Sequence, residues 1–283
     1  MSQLAVVNRK KSSGLYQSWP WRITIGYLVV MLLLPISALL VNAATINPQE
    51  FWAKATSPIA LSAYEVTFVT ALGTALVNGV FGTLIAWVLV RYSFPGKKII
   101  NGIIDLPFAL PTSVAGLTLA TIYSPKGLIG GMLAPLGIKI AFTRLGVVIA
   151  MLFVSLPFVV RTLQPVLEEM EKETEEAAWS LGATPSQTFW QVILPPLMPA
   201  ILTGVTLGFS RSVGEYGSIV MVSANRPFQD LIASVLIWQS LESYDIVGAT
   251  AIGTVLLLIS LVLLLLINWL QAWGQRYNGK SKL

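Results

Sequence analysis

The sequence contains no cysteine and no histidine, and only 11% of its 283 residues are charged. Without cysteine there is no disulfide framework, no thiolate metal site and no sulfur nucleophile. Without histidine the usual imidazole ligand is missing, and so is the side chain that most often moves protons near neutral pH. Soluble domains carry about 25% charged residues, so this chain has too few to cover a water-exposed surface of its size. What it has instead is apolar residues, 55% of the total, many of them gathered in long uncharged runs. Such runs point to an integral membrane protein.

A bilayer core about 30 Å thick takes roughly 20 helical residues. Every backbone polar group inside it must be paired within the segment, so each run reads as a helix. We place six spans, at about 23–42, 64–90, 99–123, 145–161, 195–222 and 246–270. The fold class is therefore all-α. The third span is interrupted by Asp105, Pro107 and Pro111, and the prolines are expected to kink it. Asp105 is read as solvated near the end of that span. The fourth span is short, and Arg144 and Arg161 at its ends are expected to snorkel toward the head groups. Trp269 and Trp273, around the end of the sixth, suit an interfacial aromatic belt.

Basic residues orient the spans. Arg9, Lys10, Lys11, Arg22, Arg91, Lys97, Lys98, Arg161, Lys172, Arg276, Lys280 and Lys282 fall on one side, and Lys54, Lys126, Lys139, Arg144 and Arg226 on the other. Twelve against five puts both termini in the cytoplasm. This gives a cytoplasmic tail over 1–22, a six-span domain over 23–275 and a basic cytoplasmic tail over 276–283. Residues 1–43 share the basic start, apolar run and small-residue end of a secretory signal. The apolar run exceeds the usual core of about 7–15 residues, so the first span is expected to be retained.

The cytoplasmic segment 163–193 carries six of the thirteen acidic residues: Glu168, Glu169, Glu171, Glu173, Glu175 and Glu176. Glu, Ala, Met and Leu favour a helix, and Gly182 is placed to stop it in a left-handed cap. Thr184-Pro185-Ser186-Gln187 then reads as a new helix start, with Thr184 as N-cap and Gln187 as its capping-box partner. Leu194-Pro195-Pro196 is expected to end that helix and open the fifth span. A solvated acidic loop accounts for Glu168 to Glu173. It does not account for the small, partly apolar Ala177, Ala178, Leu181 and Gly182 that follow, which suit docking into a groove.

The order Glu176-Ala177-Ala178, three residues, Gly182, then nine residues to Val192-Ile193-Leu194-Pro195 resembles the EAA signature of ABC importer permeases. Val192 stands where that family favours isoleucine. Arg91 to Lys97, Leu106 to Gly116 and Phe209 to Gly217 resemble the corresponding stretches of sulfate and molybdate permeases. Pro157 to Arg161 with Gln164 to Glu168 is most similar to the T-subunit branch of sulfate/thiosulfate importers. Altogether the resemblance covers roughly residues 60–275. It implies the ABC type I importer permease fold in a bacterial-type plasma membrane. It also implies that Glu176, Ala177, Ala178, Leu181 and Gly182 form the coupling helix that docks on a cytoplasmic ATPase. The partners it implies are two ATPase subunits, a second homologous permease chain and an extracytoplasmic sulfate-binding protein, with membrane lipid around the spans and no nucleic acid.

Arg211 and Glu215 lie four apart inside the fifth span and can pair across one helix face. One reading is a structural ion pair in which each charge offsets the other's desolvation. The other places Arg211 beside an aqueous path, where its guanidinium favours a passing tetraoxyanion. Gly214 and Gly217 are read as permitting close helix approach, and Thr74, Asn78 and Gly82 as a small-polar packing face. No cofactor or metal is expected in this chain. We expect no phosphate-binding loop of the G-x-x-x-x-G-K-[S/T] type here, so ATP and Mg would be bound by the partner ATPase. The expected function is import of sulfate, with thiosulfate, as a non-catalytic transmembrane subunit. A homodimeric molybdate or tungstate permease is the alternative. A stand-alone secondary transporter, which commonly carries inverted repeats, and an intramembrane enzyme, which needs a nucleophile and base, fit less well.

Overall fold

The computed structural model describes residues 18–280, and every regular element among them is helical. Residues 1–17 and 281–283, which belong to the expected cytoplasmic tails, and the side chain of Trp273 lie outside the described residues. The chain opens with α1 (Ser18–Leu28), a π-helical stretch at Val29–Leu33 and α2 (Leu34–Thr45). Asn47 caps the short α3 (Pro48–Ala55), its side chain accepting from the Gln49 N–H. Ser57 caps α4 (Pro58–Arg91), and Pro58 takes the first helical position, where a missing N–H costs nothing. Next come α5 (Lys97–Ile104), α6 (Leu106–Ala109), α7 (Thr112–Tyr123) and α8 (Leu128–Leu133). α9 (Arg144–Glu169) and α10 (Lys172–Ser180) follow, then α11 (Pro185–Gln187), a π-helical stretch at Thr188–Ile193 and α12 (Leu194–Val213). The chain closes with α13 (Gly217–Val222), α14 (Ala233–Glu242) and α15 (Ile246–Lys280).

Five helices among the described residues are long and apolar enough to cross a membrane: Trp19–Thr45, Pro58–Arg91, Arg144–Glu169, Pro185–Val213 and Ile246–Trp269. The expected third span, 99–123, is not a kinked helix but three separate pieces, α5 to α7. Proline disfavours the helical region for the residue before it, and Leu110 before Pro111 is extended at φ −86°, ψ 135°. The expected fifth span, 195–222, differs at both ends. Pro195 and Pro196 do not start a new helix, because the π-helical stretch at Thr188–Ile193 joins α11 to α12 without a break. A widened turn is one way to carry a chain past prolines whose N–H groups are missing. At the other end α12 stops at Val213, and the chain turns through Gly214, Glu215 and Tyr216 before α13.

α4, α9 and α12 form the centre of the bundle. In lipid, helices associate through close packing and interhelical hydrogen bonds rather than through the hydrophobic effect. Asn78 on α4 supplies such bonds, its amide donating to the Leu152 carbonyl (3.0 Å) and to Ser155 Oγ (2.8 Å) on α9. Gly82 and Gly204 let α4 and α12 close on Val159, where an added Cβ would stand 2.8 Å and 3.0 Å from its atoms. α13 crosses α7 where Gly116 meets the Ser218 backbone and Gly217 meets Thr112. Gly214 is not at a helix crossing: its nearest neighbour is its own Ser210 carbonyl, 3.7 Å from where a Cβ would be, and it caps α12 instead.

Two apolar clusters mark the ends of the bundle. Ala86, Leu89, Val160, Leu167, Ile193 and Leu197 gather where α4 and α9 end and α12 begins. Val66, Val147, Val213, Ile219, Val222 and Ile232 gather at the opposite end. Arg91, α10 and α11 therefore belong to one end of the molecule, and α8, α14 and the 223–232 loop to the other.

Candidate functional site

The α10–α11 segment is built by local signals. α9 ends at Glu169, Met170 is extended, and α10 begins with Glu173 and Glu175 in its first turn, where carboxylates favour the positive end of the helix dipole. Gly182 adopts φ +86°, a left-handed conformation that costs other residues about 1–2 kcal/mol. The turn is closed by the Gly182 N–H on the Trp179 carbonyl (2.9 Å) and the Ala183 N–H on the Ala178 carbonyl (3.0 Å). Thr184 Oγ1 accepts from the Gln187 N–H at 3.3 Å, and Gln187 Oε1 accepts from the Thr184 N–H at 2.8 Å, a reciprocal capping box. The outcome is helix, glycine turn, helix.

Glu176, Ala177, Leu181 and Gly182 are exposed and Ala178 is half-buried. Leu181, at 89% exposure, stands out as an apolar side chain with almost no cover. Glu175 is turned the other way. Its Oε1 lies 2.8 Å from Arg91 Nη2, with the two side chains only 12% and 9% exposed. Arg91 Nη2 also donates to the Met170 carbonyl at 3.2 Å. Beside this pair lies a pocket of about 330 Å³, lined by Trp87, Tyr92, Lys172, Trp179 and Thr188 among others. From the sequence, Arg91 is an orienting charge that opens the Arg91–Lys97 stretch, and Glu175 is part of an acidic run. Nothing in the spacing of two residues so far apart announced their contact.

Arg211 and Glu215 are brought together at the end of α12, Arg211 Nη1 2.6 Å from Glu215 Oε2. Glu215 is 1% exposed. Its other oxygen accepts from the Ser218 N–H and Oγ, both at 2.8 Å, and so caps the first turn of α13. Its backbone carbonyl accepts from Ser234 Oγ at 2.6 Å. Arg211 keeps 29% of its side chain exposed. The pair sits 17 residues into α12, about 25 Å along the helix from its start near α11. These two groups of residues are thus separate features.

A second unanticipated pair corrects the reading of Asp105 as merely solvated and of Arg161 as snorkelling. Arg161 Nε donates to Asp105 Oδ1 at 2.7 Å, while Nη2 reaches Oδ2 and the Asn101 carbonyl. Nη1 donates to Asn101 Oδ1 at 2.9 Å. This fork fixes the α5–α6 junction against α9. A two-point contact of this kind is specific to the arginine fork.

Among the described residues no group of three or more acidic side chains is placed to hold a metal ion. The expectation about the phosphate-binding pattern needs a correction, because Gly274 to Ser281 reads G-Q-R-Y-N-G-K-S and fits its letters. Gly274 to Lys280 continue α15. A phosphate-binding loop follows a strand and presents free N–H groups, whereas helical N–H groups are taken by carbonyls four residues back. The match carries no nucleotide site.

The family described as "Binding-protein-dependent transport system inner membrane component" matches residues 78–276. The chain belongs to this family. Among its relatives, "Sulfate transport system permease protein CysT" of Synechocystis sp. is 65% identical over 260 residues, covering 92% of this chain and 91% of the relative. The protein of the same name from Synechococcus elongatus is 62% identical over 262 residues, covering 93% and 94%. The "Probable sulfate transport system permease protein cysT" of Chlorokybus atmophyticus is 61% identical over 279 residues, covering 98% of each. A crystal structure of a bacterial ABC transporter that imports the acidic polysaccharide alginate superposes with TM-score 0.74 at 18% identity, over 92% of this chain and 96% of that one. The same transporter class in complex with an alginate-bound periplasmic protein gives TM-score 0.71 at 20% identity, over 90% and 96%. These two likenesses establish the fold: that of an ABC importer's transmembrane chain.

Proposed function

We propose that this chain is the transmembrane permease subunit of an ATP-driven importer for sulfate, with thiosulfate as a second substrate. The observation that carries the reading is the 61–65% identity, over nearly the whole length, to relatives named sulfate transport permeases. In this reading the end bearing α10 and α11 faces the cytoplasm, and both termini lie there. The chain crosses the plasma membrane six times, the third crossing being made by α5 to α7 together. Moving a dianion into a cell that is negative inside opposes the potential by about 2.3 kcal/mol per charge per 100 mV, so an energy source is required. Two cytoplasmic ATPase subunits supply it, binding ATP and Mg. A second homologous permease and an extracytoplasmic sulfate-binding protein complete the assembly.

Under this reading Glu176, Ala177, Ala178, Leu181 and Gly182 dock on the ATPase. Closure of the ATPases moves α10, and the spans rock from an outward-facing to an inward-facing path. Exposed Leu181 on a rigid glycine turn supports the docking role, because an uncovered apolar side chain on a short helix fits a groove. Arg211 borders the path through its exposed part while Glu215 holds it in place.

The test is uptake of radiolabelled sulfate in cells lacking their own sulfate importer and supplied with this chain and its partners. Uptake that requires ATP, is blocked by excess thiosulfate and ignores excess molybdate supports the proposal. Entry of molybdate in place of sulfate would leave the architecture standing with the wrong ligand. Uptake indifferent to ATP depletion would overturn it.

A further inference from the structure

α10 is poorly anchored for a lever. All of its residues are exposed except Glu175 and Ala178, which are half-buried. The two turns that flank it, at Met170 and at Gly182, are held by backbone bonds within the segment. It packs against the Thr188–Ile193 stretch that leads into α12, and among the described residues its polar tie to the spans runs through Arg91, the last residue of α4. That guanidinium touches three elements at once: α4 by attachment, the end of α9 through the Met170 carbonyl, and α10 through Glu175.

The pair is close but incompletely made. Arg91 Nε is buried without a hydrogen-bond partner, and Glu175 Oε1, though 2.8 Å from Nη2, is not aligned to accept from it. An arginine and a carboxylate at this distance ordinarily form two parallel bonds, and a buried unmade donor is costly. A small shift of α10 along α4 would bring the carboxylate into register with the Nε–Nη2 edge of the guanidinium. The 330 Å³ pocket beside the pair leaves room for such a shift. Of the charged groups around it, Arg91 comes from α4, and Lys172, Glu175 and Glu176 come from α10. Lys172 is exposed and makes no ion pair with another element among the described residues.

We propose that the Arg91–Glu175 pair is the linkage that transmits movement of α10 to α4, passing between a one-point and a two-point contact as the helix shifts. Both are positioning residues, acting through the helices they join. The inference rests on the permease reading above, since it takes α10 as the element that the ATPase moves. It is distinct from docking itself, because Glu175 faces inward and Glu176 outward.

The experiment compares the complete transporter in proteoliposomes carrying the natural pair, Glu175→Gln, Arg91→Gln, or the exchange Arg91→Glu with Glu175→Arg. ATP hydrolysis and sulfate uptake are read together. In each single variant the ATPases stay bound and hydrolyse ATP, while sulfate moved per ATP falls about tenfold, within the usual range of a coupling free energy. The exchange restores most of the ratio. Single variants that move as much sulfate per ATP as the natural pair overturn the linkage, as does an exchange no better than the singles. Should the natural transporter itself move no sulfate, the permease reading fails, and a second measurement then decides the linkage alone. The cysteine-free chain accepts spin labels at Leu181→Cys and Leu84→Cys, both exposed positions. The linkage predicts a narrow distance distribution that broadens with Glu175→Gln and sharpens again in the exchange. Identical distributions in all three overturn it.

Discussion

In the α4–α9–α12 bundle, helices approach closely at glycine positions. Gly82 and Gly204 press on Val159, and Asn78 hydrogen-bonds across to α9. The α10–α11 segment meets the rest of the molecule mainly through the Thr188–Ile193 stretch, on which α10 packs. Its shape comes from a left-handed glycine, a capping box and a single buried ion pair. The bundle is determined by contacts between residues far apart in sequence, and the segment's glycine turn and capping box by contacts a few residues apart. A membrane core has to fix its helices against one another. An element that docks and moves has to hold its own shape while staying loosely joined to the rest.

The comparison can be broken most severely at the α7–α13 crossing. Gly116→Leu forces a side chain into the Ser218 backbone, which cannot yield as a flexible side chain would. We expect a loss of about 3 kcal/mol or more, seen as a collapsed yield of folded protein on size exclusion in detergent. Glu215→Ala removes both the Arg211 partner and the α13 cap. With Arg211 partly exposed, the expected cost is about 2 kcal/mol, read as lowered thermal stability of the purified chain. Ser218→Ala should reproduce only a fraction of it. Thr184→Ala takes one bond from the capping box, a change worth about 1 kcal/mol of local helix stability. It should raise hydrogen exchange at 184–188 and leave the bundle's melting temperature unchanged.

The smallest effect concerns pH. The Lys54 ammonium, donating to Asp245 at 2.7 Å, holds the Asp245 carboxyl below the usual aspartate value, with help from the Gly248 N–H. A carboxyl lowered in the folded state contributes stability above its unfolded pKa and loses it as pH falls through the folded value. The pair is substantially exposed, so salt screens it and the contribution is small. The purified chain should lose slightly more thermal stability on acidification through the carboxylate range than Asp245→Asn does. Equal losses would remove Asp245 from the account.

What was legible in the sequence follows the same division. Gly182 and the Thr184–Gln187 box could be read directly, because their partners lie within four residues. Apolar runs marked the long helices, since hydropathy needs no partner at all. Pro111 announced a disturbance but not a break, because whether a proline kinks or severs a helix depends on what re-pairs the freed backbone. The Arg91–Glu175 and Arg161–Asp105 pairs were invisible for a related reason. Their partners are 84 and 56 residues apart, and only the packing of α4 and α5 against the end of α9 brings them together. Even Arg211–Glu215, which lie four apart, held a surprise: the helix that would carry both ends at Val213, and Glu215 begins the next turn.

The central claim is that the α10–α11 segment couples and the bundle carries. Gly182→Asp tests it most directly, measured as ATP-driven sulfate uptake normalised to the folded transmembrane chain. The glycine is exposed and meets no neighbour, so the account predicts normal membrane insertion and bundle stability with uptake reduced to background. Undiminished uptake in that variant would contradict it.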